Sequence, residues 1–318
     1  MKIIFLVIFI NMLSTNLYSY DLFETKFHNV EFISNNIDSD KINKINQIKF
    51  KSIYNVLKKT LDNESLIEIE KYLNEDLINT FIKNIIINDE KIINDKYLSK
   101  IKVNFNKKKI IEFFRIKNIS YIEYYPDNFL LIIYEKKNFD EYLLSKNNNF
   151  YSYFINNFTE DHIFKIPNLD INDRFILDKE HIKSKNVEKI KNFSKKYNLN
   201  DIVVVLAKID KTKTTYDIIL HSNDTVIEKR LKYNKNNLKK FYSILEEESI
   251  NLWKRLNYIH NDTLTLINCN INYFNILELK EIRNKLKEIS VIKKLDKKSL
   301  SYKKIEYEIY YYGDLKIF

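Results

Sequence analysis

The apolar run Ile202-Val203-Val204-Val205-Leu206 is the stretch that decides the fold. Side chains of a strand alternate between the two faces of a sheet, so a run that is apolar at every position predicts a central strand covered on both sides. Polar residues at 211–213 and 222–224 interrupt the chain, and strand-like segments at 215–221 and 225–233 follow them. The pattern predicts a three-stranded antiparallel meander.

Helices and further strands are predicted on both sides of the meander. Upstream, the chain predicts a buried strand at 129–134, a helix over 139–158, a short strand at 163–166, a loop at 168–174 and a helix at 187–197. Downstream, apolar residues at helical spacing predict a long helix at 237–259.

The amino-terminal part predicts a strand at 22–33, three helices and a hairpin. The first helix follows Asp40 and carries an apolar stripe through Phe50, Ile53, Tyr54, Leu57 and Leu61. Helices are expected at 64–74 and from Asp76, a hairpin at 85–105 that turns at Asn94-Asp95, and a helix at 107–117.

The last part predicts a strand at 263–267, a helix at 276–287 and strands at 291–295 and 301–311. This β-α-β-β order is most of a ferredoxin-like unit. Because the second helix and fourth strand of such a unit are not predicted, we hypothesise that it packs on the helix at 237–259 or pairs an open edge with another chain.

These elements predict an α+β fold of two to three modules, with a central antiparallel meander, flanking helices and a partial ferredoxin-like β-α-β-β unit. Boundaries are expected near Pro126 and at 260–261. They give a signal peptide at 1–19, an amino-terminal α+β module at 20–125, a central α+β module at 126–260 and the partial ferredoxin-like module at 261–318.

Residues 1–19 have the layout of a secretory signal. Met1-Lys2 precedes an apolar core at 3–10, and a polar stretch ends at Ser19. The core is shorter than the ~20 apolar residues of a spanning helix. We therefore expect export to the periplasm of a Gram-negative bacterium.

Composition excludes several chemistries. The chain has one Gly, so it holds no phosphate-binding loop, dinucleotide fingerprint or nucleophile elbow. Its one Cys, Cys269, excludes an internal disulfide and a Cys-based zinc cluster, and is interpreted as a small buried hydrophobe.

The charge is basic but is supplied almost entirely by lysine. Lys and Arg number 53 against 43 Asp and Glu, a net charge of +10, and only five of the basic residues are Arg. Readers of nucleic acid rely on Arg for bidentate contacts, so no nucleic-acid partner is expected. Contact with anionic lipid head groups is expected to be weak and screened by salt.

Acidic and imidazole groups are densest at residues 161–181. The candidate binding residues are Asp170, Asp173, His162 and His181, in a window that also contains Asp161, Asp178 and Glu180. Two His and a carboxylate would bind a divalent metal if the window folded back on itself. The alternative is that the aspartates cap helices and turns while the histidines face solvent. We expect no metal and no cofactor, and the sequence identifies no catalytic residue.

The segment Phe164-Lys165-Ile166-Pro167-Asn168-Leu169-Asp170-Ile171-Asn172-Asp173 resembles the proline, leucine and paired-acid stretch of the domain of unknown function 2066 family of exported proteobacterial proteins. The segments at 97–117, 129–134 and 193–208 are similar in order to the family's strand and helix, buried strand, and helix with an apolar strand. The resemblance implies an envelope location and a non-enzymatic role, and it transfers no catalytic residue.

The sequence does not specify a molecular activity. We expect an exported cell-envelope protein that is a non-catalytic binding or assembly module for an unidentified envelope protein or ligand. The alternatives are a metal-assisted hydrolase centred on residues 161–181 and a weak peripheral binder of anionic lipid head groups.

Export gives the first testable prediction. Amino-terminal sequencing of the protein from the periplasmic fraction should start near Tyr20, because the apolar core is followed by a polar exit at Ser19. A Leu6→Arg, Val7→Asp variant should stay in the cytosol. Recovery of the chain only in the cytosol with Met1 intact would contradict export.

Overall fold

The structure is a computed structural model that describes residues 22–159, 162–210, 214–222, 225–233 and 237–313. Helices and three separate sheets occur within these residues, which confirms the predicted α+β class. The chain forms two compact units. The first comprises the described residues up to Thr60 with Ile69–Ile110 and Glu123–Tyr125, and the second comprises Leu61–Glu68, Ile111–Ile122 and the chain from Pro126. The predicted signal peptide at 1–19 lies outside the described residues.

The first unit is built on a three-stranded antiparallel sheet. Its strands are β1 (His28–Ile33), β2 (Ile82–Ile93) and β3 (Lys96–Phe105), in the order β1-β3-β2. The central strand β3 buries alternate side chains, among them Tyr97, Ile101 and Val103. The predicted hairpin is confirmed, and Asn94 takes a positive φ of 54° at its turn.

Helices of this unit connect β1 to β2. They are α1 (Ile37–Thr60), α2 (Asn63–Glu70), whose first residues belong to the second unit, and α3 (Glu75–Phe81). The buried face of α1 differs from the predicted stripe, since Phe50 and Tyr54 are exposed whereas Ile48 and Val56 are buried with Ile53 and Leu57. A further helix, α4 (Lys107–Ile116), follows β3 at the predicted position.

The second unit contains the predicted meander as three consecutive strands of a six-stranded sheet. The strands are β4 (Phe129–Lys137), β5 (Asp140–Leu143), β6 (Phe164–Lys165), β7 (Asp201–Ile209), β8 (Thr214–Ser222) and β9 (Thr225–Tyr233). Their order is β5-β4-β7-β8-β9, with β6 beside β4. β4 runs parallel to β7, and β7, β8 and β9 are antiparallel. Ile202–Val205 are fully buried, as their apolar run predicts.

Helices flank this sheet. In chain order they are α5 (Asn149–Asn157), α6 (Ile171–Ile176), α7 (Lys179–Lys183), α8 (Val187–Lys195) and α9 (Leu238–Leu256). The long helix α9 packs on β8 and buries Phe241, Tyr242, Leu245 and Trp253. The rings of Phe241 and Tyr216 of β8 lie 4.6 Å apart, which identifies the face of the sheet that α9 covers.

One edge of β4 has a gap that side chains fill. β6 pairs with residues 129–130 and β5 with residues 134–137, so no strand pairs with this edge between them. The Tyr151 hydroxyl accepts the Ile133 N–H at 2.8 Å and donates to the Leu131 carbonyl at 3.4 Å, and the Asn148 amide donates to the Ile133 carbonyl at 3.2 Å. These bonds satisfy buried backbone groups that would otherwise destabilise the sheet.

Two predictions around this sheet are wrong. Residues 139–158 are not one helix, because Asn138 takes a positive φ of 53° and turns the chain into β5, and Asn148 then caps α5. Residues 168–174 are not a loop throughout, because Asp170 caps α6, and α7 follows it. Helices of six and five residues are too short to show an apolar period.

The last part of the second unit forms the predicted β-α-β-β unit. It comprises β10 (Leu264–Asn272), α10 (Ile276–Glu288), β11 (Ile292–Ser301) and β12 (Lys304–Tyr312), with strand order β10-β12-β11. The buried side chains Ile305, Tyr307 and Ile309 of β12 form its core with Leu279 of α10 and Cys269. Tyr302, in the predicted strand at 301–311, lies at the β11–β12 turn and is exposed. Both this sheet and the first unit's sheet place their third strand between the other two, which is the split β-α-β arrangement.

This β-α-β-β unit contacts the segment 111–122 of the second unit. The Arg115 guanidinium donates to the Ser290 carbonyl at 2.6 Å and lies 4.3 Å from the centre of the Tyr312 ring. The Asn261 amide donates to the Ile119 carbonyl at 2.7 Å. The sequence analysis hypothesised that the β-α-β-β unit packs on the helix at 237–259. The contacts described here involve instead the end of α4 and the chain that follows it.

The two edges of this small sheet differ in charge. β11 carries Lys and Asp side chains and two register shifts, features that protect an edge from pairing with another chain. β10 has no charged residue in its nine positions and keeps an unbroken register with β12. Within the described chain β10 pairs with β12 alone, so its outer edge presents unpaired backbone groups.

The filled gap beside β4 gives a stability prediction. Tyr151→Phe removes the acceptor of the buried Ile133 N–H, so the free energy of unfolding should fall by about 1–3 kcal/mol. The matched control is Tyr153→Phe on the same helix, which should change it by less than about 0.5 kcal/mol. Urea unfolding of the purified protein measures both, and equal losses would contradict the assigned role of Tyr151.

Candidate functional site

Asp173, one of the predicted binding residues, is fully buried and already bonded through both carboxylate oxygens. Oδ1 accepts from Lys196 Nζ at 2.6 Å, the Tyr197 hydroxyl lies 2.7 and 2.6 Å from the two oxygens, and Oδ2 accepts the Leu169 N–H at 3.2 Å. The hydrogen bond to Asp173 raises the pKa of Lys196, and burial followed by the same carboxylate raises the pKa of Tyr197. The contacts join α6 to the end of α8.

The other acids of the window cap short helices. Asp170 Oδ1 accepts the Asp173 N–H at 2.8 Å at the start of α6. Asp178 Oδ1 accepts the His181 N–H at 2.8 Å, and His181 Nδ1 accepts the Asp178 N–H at 3.4 Å, which is a reciprocal capping box at the start of α7. The alternative that the aspartates cap helices therefore holds for Asp170. Asp173 is instead buried and bonded to Lys196 and Tyr197.

His162 lies in an aromatic cluster. Its ring is 4.4 Å from the Phe158 ring centre, 5.3 Å from Phe154 and 5.5 Å from Phe164. Nδ1 accepts the Phe164 N–H at 3.1 Å, and Nε2 lies 3.7 Å from Glu246 of α9. Burial lowers the pKa of His162, and Glu246 opposes that shift only in part.

The structure therefore brings Asp170 and Asp173 together and gives His162 and His181 separate surroundings. His181 pairs with Asp178, and Glu180 pairs with Lys183. Asp161 lies outside the described residues. Across the described ranges of the chain, no group of three or more His, Cys, Asp or Glu side chains is arranged to hold a metal ion.

A half-buried acid, Asp201, which the sequence analysis did not identify, lies at the start of β7. Asp201 accepts hydrogen bonds from the Ser222 hydroxyl and from Trp253 Nε1, the latter at 3.0 Å. Burial raises the pKa of Asp201, and its two hydrogen bonds oppose the shift. These two hydrogen bonds join the end of β8 and the helix α9 to β7, because Ser222 and Trp253 both donate to the Asp201 carboxylate.

His221, the neighbour of Ser222 on β8, is 1% exposed and has no hydrogen-bond partner for either ring nitrogen among the described residues. Alternation along the strand directs it away from the face that carries Ser222 and α9. Burial, followed by the nearby charge of Lys191, lowers the pKa of His221 to about 4. A histidine that is buried in its neutral form links the stability of the sheet to pH.

A polar cleft of about 390 Å³ lies in the second unit between residues 62–64 and α9. Its walls include Asp62, Glu247 and Arg255, together with Lys229 and Glu248, which form an ion pair with each other. The mixture of paired acids and bases does not define a ligand class.

The most exposed apolar surface of the small carboxyl-terminal sheet lies where β10 ends beside the β11–β12 turn. The Tyr273 N–H donates to the Lys303 carbonyl at 3.0 Å, so residues 273–277 lie beside residues 300–304. The exposed fractions are 80% for Phe274, 88% for Tyr302 and 71% for Leu277, and Ile276 and Leu300 are also mostly exposed. We call residues 273–277 and 300–304 the apolar tip.

Sequence reasoning missed the apolar tip because its two segments are more than 20 residues apart. Each segment contains an exposed aromatic residue, Phe274 or Tyr302, next to a turn. One feature of the sequence does indicate exposed apolar side chains here. Ile276 and Leu277 lie in the first turn of a predicted helix, before its apolar stripe begins at Leu279.

Comparison with known proteins finds no matching family model, no matching curated protein and no matching solved structure. The resemblance carried by residues 164–173 remains a prediction. Of the helices in the described residues, none has the length and apolar character needed to cross a membrane.

His221 gives a pH prediction. Its folded pKa of about 4 lies below the ordinary value of 6.5, so the unfolded chain binds the extra proton between these values and stability falls as the pH falls. From pH 7 to pH 5 the free energy of unfolding should decrease by about 2 kcal/mol through this group.

The variant His221→Leu should lose that part of the pH dependence in urea unfolding measured at both pH values. His260→Gln, a change at an exposed histidine, serves as the matched control and should keep it. A wild-type dependence that is unchanged in His221→Leu would contradict the assignment.

Proposed function

We propose that the chain is an exported protein of the cell envelope that acts by binding, without catalysis. The signal-like residues 1–19 and the resemblance to the domain of unknown function 2066 family support the location. The single Gly and single Cys support a role outside glycine-dependent and cysteine-based chemistry.

The observation that carries the non-catalytic part is the bonding of Asp173. A general base or a metal ligand needs a free lone pair that faces the reacting group. Both oxygens of Asp173 instead accept bonds from Lys196, Tyr197 and the Leu169 backbone, and solvent does not reach them. This bonding supports a structural role for Asp173, which the sequence analysis gave as a candidate binding residue.

Two surfaces support the binding part. The uncharged edge of β10 presents backbone groups that an extended segment of a partner pairs with. The apolar tip presents five large side chains to solvent, more than isolated exposed residues account for.

The alternative of a metal-assisted hydrolase centred on residues 161–181 gains no support from these contacts. His162 and His181 have separate partners, Glu246 and Asp178, and Asp170 is a helix cap. Contact with anionic lipid is supported by a specific surface, the apolar tip.

Metal analysis separates the binding proposal from the hydrolase. Elemental analysis of the purified mature protein should find no stoichiometric zinc, manganese or iron. One metal per chain, lost in His162→Gln and in the double variant Asp170→Asn, Asp173→Asn, would overturn the proposal.

Stability measurements on the same variants test the structural role of Asp173. Asp173→Asn weakens the buried bonds to Lys196 and Tyr197 and should lower the free energy of unfolding by about 1–3 kcal/mol. The matched control Asp178→Asn changes an exposed helix cap, where asparagine caps as well as aspartate, and should cost only a few tenths of a kcal/mol, roughly.

A further inference from the structure

We propose that the apolar tip docks on a bilayer surface that contains anionic lipid. The side chains of Phe274 and Tyr302 enter the head-group boundary, and Lys303 and Lys304 contact lipid phosphates. The inference deepens the proposed binding function and names its partner as a membrane surface.

The backbone of the sheet holds the two segments of the tip together. Asn272 pairs with Lys304 at the end of the β10–β12 ladder, and Ser301 pairs with Lys304 at the end of the β11–β12 ladder. The Tyr273 N–H bond to the Lys303 carbonyl closes this end. The exposed rings of Phe274 and Tyr302 are therefore attached to a hydrogen-bonded frame, and less conformational entropy is lost when they bind.

The composition of the tip matches a bilayer interface. Tyrosine and tryptophan prefer the head-group level of a membrane, where an apolar body and a polar edge are both satisfied, and phenylalanine adds apolar area there. Leu277 and Ile276 in the first turn of α10 add aliphatic surface beside the two rings. Apolar area buried at the head-group boundary and attraction to anionic lipid together set the strength of such binding.

The charge of the tip is complementary to anionic lipid. Neither 271–277 nor 299–305 contains an acidic residue, whereas Lys303 and Lys304 lie in the second segment. The nearest acid in sequence, Glu278, accepts the Phe274 N–H at 2.6 Å and so stabilises the start of α10.

Lys303 and Lys304 make no ion pair with any residue of the described part of the chain, and the Lys303 ammonium lies 5.3 Å from the Tyr302 ring centre. Elsewhere in this sheet, Lys294 pairs with Asp296, and Lys298 lies near Glu306 and Glu308. Lys303 and Lys304 thus place two unpaired positive charges beside the exposed rings, which favours a membrane with anionic lipid over an uncharged protein surface.

Vesicle binding tests the apolar contribution. The purified mature chain is sedimented with vesicles of phosphatidylethanolamine and phosphatidylglycerol, and with vesicles of phosphatidylcholine alone. We expect binding to the anionic vesicles, and a loss of roughly tenfold in affinity for the double variant Phe274→Ser, Tyr302→Ser. Phe139→Ser is the matched control, since Phe139 is fully exposed on the β4–β5 turn and should be dispensable.

The lysine contribution is tested with Lys303→Gln and Lys304→Gln. Each should weaken binding to the anionic vesicles about fivefold, and salt of about 1 M should remove this difference because it shortens the screening length to about 3 Å. The control is Lys285→Gln with Lys287→Gln, both exposed near the other end of α10 and expected to have a smaller effect.

A tryptophan reporter locates the contact. Trp253 is the only Trp and is buried, so Phe274→Trp adds an exposed fluorophore whose emission should shift to the blue when anionic vesicles are added. Absence of binding, or binding that the tip variants do not weaken, overturns the inference. Neither result alters the metal and export tests, so failure of the tip is distinguishable from failure of the proposed function.

Discussion

The parallel pairing of β4 with β7, in a sheet buried on both faces, is the constraint on which much of the second unit depends. Parallel neighbours cannot be joined by a tight turn, so the chain between residues 137 and 201 must cross over the sheet. That crossover carries β5, α5, β6 and α6 to α8, and it buries a few polar side chains, among them Asn148, Tyr151 and Asp173. Each of them needs a partner within the protein, and this need accounts for the roles of Asn148, Tyr151 and Asp173.

The same constraint explains why the acid-rich segment does not form a site. Asp173 is close enough to the core that its charge requires Lys196 and a tyrosine hydroxyl, and Asp170 is used to begin a helix of six residues. The small carboxyl-terminal sheet is under no such demand, because α10 covers only one of its faces and its turns end in solvent. Exposed side chains at those turns, including Phe274 and Tyr302, are therefore available to a partner.

Sequence patterns predicted the elements whose apolar period is long. The run at Ile202–Leu206 identified the central strand, and the order of the last four elements identified the β-α-β-β unit. The patterns failed at 139–158, where a turn at Asn138 and a cap at Asn148 confine the helix to Asn149–Asn157. They also failed at 168–174, where Asp170 caps a helix of six residues that is too short for periodicity. The bond between Asp201 and Trp253 and the apolar tip depend on contacts between distant segments, which periodicity within a segment does not identify.

Backbone hydrogen exchange, measured along the whole mature chain with and without anionic vesicles, distinguishes a structural acid-rich segment from one that binds. If residues 162–181 are structural and binding occurs at the apolar tip, vesicles should slow exchange at residues 273–277 and 300–304 and leave residues 162–181 unchanged. Slowed exchange at 162–181 with no change at the tip would contradict this assignment.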